Sequence, residues 1–89
     1  MVTIIAKHRV RDYDQWRPTF DRFQSKRNEH GVTNGRVYRN ADDANDLILL
    51  FDATDEARAR QYYASDDLRN GMESAGVDLS TFSWKVVPD

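Results

Sequence analysis

Five apolar residues, Leu47-Ile48-Leu49-Leu50-Phe51, stand between Asp46 and Asp52 and constrain this chain more than any other stretch. The run is far too short to span a bilayer, and its length between polar boundaries fits a strand. Strand residues alternate between faces, so Leu47, Leu49 and Phe51 cover one side while Ile48 and Leu50 cover the other. A sheet that is apolar on both faces needs cover on both. The chain's own helices can supply one cover, but 89 residues leave little for the other, so a second copy of the chain is the expected partner.

The remaining elements assemble around that strand. Ile4, Ala6, His8 and Val10 alternate with Thr3, Ile5, Lys7 and Arg9, which predicts a first strand over 3–10. Asp12 is suited to cap a helix, with Gln15 three residues on, and Tyr13, Trp16, Phe20 and Phe23 form an aromatic stripe along it. Pro18 predicts an irregular first turn or a later start, and His30-Gly31 closes the helix. Gly35 to Arg39 reads as a second strand, joined by the polar stretch 40–46 to Leu47–Phe51 in a hairpin. Thr54 is the expected cap of the next helix, with Asp55 and Glu56 in its first turn, and Ser65 that of a further helix ending at Gly76. Ser80 to Val87 is the last strand, with Phe82, Trp84 and Val86 on one face. The order β-α-β-β-α-α-β is α+β and predicts a ferredoxin-like plait: a four-stranded antiparallel sheet with helices on one face.

The whole chain, 1–89, reads as one domain near the size where a single core barely suffices. It has no cysteine, hence no disulfide and no thiolate metal site, and neither a spanning segment nor a secretory leader is evident. A cytoplasmic protein without membrane attachment is expected. The net charge of −2 argues against nucleic acid as a partner. Residues 1–40 hold nine Lys/Arg against four Asp/Glu, and residues 41–89 hold four against eleven, an asymmetry that suits solvated faces balancing in the folded state, the steering together of two copies, or a pocket biased toward anions.

Lys7-His8-Arg9-Val10, Asp12-Tyr13-Asp14-Gln15-Trp16 with Phe20-Asp21, Val37-Tyr38-Arg39-Asn40-Ala41-Asp42-Asp43 and Ala75-Gly76-Val77 together resemble the small dimeric α/β-barrel proteins related to antibiotic biosynthesis monooxygenases, many of them labelled cyclase. The resemblance spans nearly the whole chain. It implies two plaits paired through their open sheet faces as a homodimer. It implies activities that include cofactor-free oxidation of anthrone-type polyketides by dioxygen, lactone isomerisation, aldol-type cyclisation and haem degradation. One scaffold hosting several chemistries does not by itself select among them.

Among candidate site residues, His8 stands out as a histidine on a semi-buried strand face, suited to exchange a proton with a substrate or to sit satisfied in the sheet. Tyr38 and Arg39 are strand neighbours, so one of the two can face a cavity and stabilise an oxyanion. Trp84 and Phe82 share a face that could wall a flat aromatic molecule, and Phe51, Trp16 and Tyr62 join them as candidate lining residues, although Trp16 also fits a packing stripe. His8 and His30 lie on different elements, and Asp42, Asp43 and Asp46 lack the spacing of a calcium loop, so no metal site is expected. Glycine-rich nucleotide loops and the G-x-S-x-G elbow are absent. The expectation is an enzyme acting on a small aromatic or polyketide-like molecule with no cofactor. The alternatives are a haem-binding protein with His8 as ligand and a non-catalytic dimer.

Overall fold

The computed structural model describes residues 1–88 and orders them as β1 (Val2–Val10), α1 (Tyr13–Arg22), α2 (Gln24–Glu29), β2 (Val32–Asn40), β3 (Asp43–Ala53), α3 (Glu56–Tyr63), α4 (Asp66–Ser74) and β4 (Val77–Pro88). The four strands form one antiparallel sheet in the order β2-β3-β1-β4, the arrangement of a ferredoxin-like plait. β3, which carries the apolar run Leu47–Phe51, therefore lies inside the sheet, between β2 and β1.

Pairing sets the faces. Ile4 stands opposite Phe51, Ala6 opposite Leu49 and His8 opposite Leu47, and all six are buried with Trp16 of α1 and Ala59, Tyr62 and Tyr63 of α3. Ile4, Leu47 and Val32 are shut off from solvent completely. The opposite face, which holds Lys7, Ile48, Tyr38 and Lys85, has no helix over it, and Ile48 is 41% and Tyr38 53% exposed.

Several details differ from the sequence reading, among them the start of β4 at Val77, three residues before Ser80. The first helix is broken in two at Phe23, whose N–H is shared between the Thr19 and Phe20 carbonyls at 3.2 Å each. It starts at Tyr13 with Asp12 as cap, the Asp14 N–H donating to the Asp12 carboxylate at 2.9 Å, and Pro18 lies inside the helix at the cost of one main-chain bond. The cap of α3 is Asp55, which accepts from the Arg58 N–H, whereas the Thr54 N–H is occupied by the Gly31 carbonyl. β2 begins at Val32 because an irregularity between Thr33 and Arg36, with Asn34 at φ 54°, interrupts its pairing without ending it. The hairpin to β3 is tight, turning at Ala41-Asp42 rather than over seven residues. Gly31 and Gly76, at φ 73° and 88°, end α2 and α4 in the left-handed region as expected.

The pairing of β1 with β4 shifts register at His8. Lys7 faces Ser83 and Arg9 faces Asp78, so Leu79, Ser80, Thr81 and Phe82 bulge opposite one residue. Side chains hold the bulge: the Arg9 N–H donates to Thr81 Oγ1 at 2.8 Å, Thr81 Oγ1 to the Asp78 carbonyl, and Ser80 to the Asp78 carboxylate. The bulge brings the Phe82 ring within 6.3 Å of the His8 ring.

Candidate active site between the helices and the sheet

The inward face of β1 and β3 supplies the floor of a cavity roofed by all four helices. Ala6, Leu49 and Phe51 lie below, Trp16 and Phe20 come from α1, and Met72 comes from α4. His8, Tyr62 and Arg27 are the polar side chains that reach it along with Thr19 and Tyr63. Its volume is about 50 Å3. Pockets that hold drug-sized ligands are larger, roughly 300–1,000 Å3, so a ligand must displace part of the wall. The wall suited to yield is α4: none of its residues is fully buried, whereas α3 buries three.

His8 is 3% exposed and its Nδ1 has no hydrogen-bond partner. Burial pushes the imidazole down to about pKa 4, only partly offset by the main chain of His8 itself, so the ring is neutral across the physiological range. Trp16 meets it edge-on and Phe82 leans against it. The Tyr62 hydroxyl is likewise buried and unpaired, and burial raises its pKa against the opposing pull of the Arg27 charge. Two buried polar atoms without partners, both belonging to residues that border one apolar cavity, are costly to folding and offer hydrogen bonds to a ligand.

The structure brings together His8, Phe82, Phe51, Trp16 and Tyr62 around this one space. Trp84 shares their face but does not line the cavity; it packs on Tyr63 with ring centroids 5.6 Å apart. The pairing of His8 with Leu47 and of Trp84 with Ala6 turns His8, Phe82 and Trp84 toward the helices of their own chain, not toward the open sheet face through which a second copy would pair. Tyr38 and Arg39 lie outside the cavity. Tyr38, opposite Ile48, stands on the open face, while the Arg39 guanidinium lies 3.9 Å over the Tyr13 ring and donates through Nε to the Ala44 carbonyl. The residue of β2 that turns inward between them and Arg36 is Val37, paired with Leu49.

Sequence reasoning missed Arg27. It follows Phe23 by four positions on the stripe of Trp16, Phe20 and Phe23, and that spacing was the available signal. Among the described residues no three of His, Asp and Glu come together as a metal site, and no helix is long and apolar enough to cross a membrane. A haem at His8 would have to displace far more of this wall than a flat two- or three-ring ligand does, so no haem chemistry is derived.

No family model matches the chain, and no curated protein matches it. Solved structures do match over almost its full length. SnoaB, a cofactor-independent oxygenase from Streptomyces nogalater, superimposes with a TM-score of 0.74 at 16% identity, covering 99% of this chain and 91% of that one. A candidate antibiotic biosynthesis monooxygenase from Bordetella bronchiseptica gives 0.76 at 10% identity over 99% and 95%. A further antibiotic biosynthesis monooxygenase gives 0.72 at 12% identity over 100% and 98%. At these identities what is shared is the fold.

Proposed function

We propose that this chain, which has the fold of the antibiotic biosynthesis monooxygenase structures, is an enzyme that acts on a small aromatic or polyketide-like molecule without a dissociable cofactor. One observation carries the reading: a neutral, buried histidine with an unpaired ring nitrogen borders a cavity walled by aromatic rings.

In this reading a flat ligand enters as α4 gives way and stacks among Trp16, Phe20 and Phe51. His8 accepts a proton from an acidic C–H or O–H of the ligand, and the anion left behind then favours the charged imidazolium. The Tyr62 hydroxyl donates to the oxygen on which that negative charge develops. An anion rich enough in electrons passes one to dioxygen; the two radicals combine to a peroxide anion, the His8 imidazolium returns its proton to it, and loss of water from the hydroperoxide leaves a new carbonyl. Without that electron transfer the same proton exchange drives isomerisation or ring closure. The active form is proposed to be a homodimer, the second copy covering the open face at Ile48 and Tyr38.

The experiment is oxygen uptake with the anthrone dithranol. Uptake above buffer, falling by roughly 10²–10⁴-fold in His8→Ala, supports the oxygenase reading. A rate equal to that of buffer sinks it for anthrones.

A further inference from the structure

Arg27 is 8% exposed, yet among the described residues no carboxylate lies within ion-pair distance of it. Its guanidinium lies 4.0 Å over the Phe20 ring and 5.6 Å from that of Phe51, and Nη1 donates to the Phe20 carbonyl at 2.9 Å. One main-chain oxygen and two ring faces leave the rest of a five-donor fork unused. A buried charge without a counter-charge is expensive, and it persists where something else uses it. Burial accordingly lowers its pKa, although an arginine stays charged.

The position of that charge says what would use it. Arg27 borders the aromatic cavity on one side, and on the other a polar cleft of about 230 Å3 lined by Arg17, Gln24, Asn28 and Asn34. A second cation, that of Arg17, thus stands in the same cleft. Asp21 is the one acid on the cleft wall, and Arg17 Nε already donates to it at 3.1 Å. The guanidinium therefore sits where an apolar, ring-walled space meets a polar opening.

We propose that the molecule bound here is an aromatic carboxylate, its ring held in the cavity and its carboxylate paired with the Arg27 guanidinium. A planar fork held over the Phe20 ring, with one nitrogen bonded to the Phe20 carbonyl, has further donors to offer a planar carboxylate, which a guanidinium can pair bidentately. The inference rests on the cavity being the ligand site and adds the charge of the ligand to it.

The test is calorimetric titration of the full chain at neutral pH and low salt with 2-naphthoate and with 2-naphthamide, its neutral counterpart. Wild type is expected to bind the carboxylate at least tenfold more tightly, and Arg27→Gln to lose that preference while binding the amide as before. Equal affinity of wild type for both compounds overturns the carboxylate assignment and leaves the cavity as an aromatic site. Binding of neither overturns both readings. A preference that survives in folded Arg27→Gln places the anion elsewhere and also overturns the assignment. If that variant does not fold, the Arg27 Nε–H resonance of the wild type decides: it shifts with naphthoate and not with naphthamide, and an unmoved resonance refutes the pairing.

Discussion

The His8 imidazole meets the Trp16 indole edge-on, with ring centroids 5.6 Å apart and planes at 71°. Trp16 is 3% exposed, and so is His8. The indole thus removes water from one side of a titratable ring while leaving its Nδ1 without a hydrogen bond. Desolvation that outweighs the one main-chain interaction of the ring is what keeps the imidazole neutral.

A direct consequence is acid sensitivity. The folded state resists protonating His8 until about pH 4, whereas the unfolded chain takes up the proton near 6.5. Between those values the unfolded state binds more protons, so stability falls as pH is lowered, by roughly 3 kcal/mol across the window. Denaturant midpoints measured from pH 7 to 4 are expected to show this loss in wild type and a reduced loss in His8→Leu.

The same shift predicts the acid limb of catalysis. If His8 takes the proton, kcat/KM rises with pH through about 4 and is level from there to neutrality, because the free enzyme holds the ring unprotonated. A limb near 6.5 would assign the base to an exposed group instead.

Gly71 sits where α4 crosses Phe23. A methyl group there would lie 2.5 Å from Phe23 Cζ, and both residues line the cavity. Gly71→Ala is expected to push the Phe23 ring, to cost about 1–3 kcal/mol, and to weaken aromatic ligands more than it weakens the fold. Thermal unfolding alongside titration with 2-naphthamide separates the two effects.

The open sheet face predicts the oligomeric state. Ile48 stands between Lys7 and Tyr38 in the pairing and is 41% exposed in the single chain. Light scattering is expected to give twice the 10.4 kDa of one chain for wild type and the single mass for Ile48→Lys, which sets a second cation beside Lys7. A wild-type monomer at every concentration removes the second copy from the proposal.

Much of the fold was legible because it rests on short-range patterns. The apolar run at Leu47–Phe51, the caps at Asp12 and Ser65, and the glycines at 31 and 76 each announce themselves within a few residues. The start of β2 did not, because Asn34 takes a positive φ inside a strand and so reads as a turn. The site was harder for the same reason. Alternation groups His8 with Ile4 and Ala6, but only its pairing with Leu47, nearly forty positions away, decides that this group faces the helices. Alternation allowed one of Tyr38 and Arg39 to face a cavity, and only the register of β2 on β3 shows that Arg39, opposite Leu47, shares the helix face with Val37 while Tyr38, opposite Ile48, stands on the open face. Arg27 was overlooked because a charge on an aromatic stripe reads as the solvent edge of a helix, and here it is buried.

The bulge at Leu79–Phe82 is an arithmetical device. In an unbroken strand Val77 and Phe82, five positions apart, would face opposite ways, yet Val77 is in the core opposite Val10 and Phe82 lines the cavity. Three surplus residues, an odd number, reverse the parity of β4 and give both side chains to the same layer. Gain or loss of two residues there alters only the size of the loop, while gain or loss of one would turn either Val77 or the trio Phe82, Trp84 and Val86 inside out. In this segment chain length is constrained to steps of two.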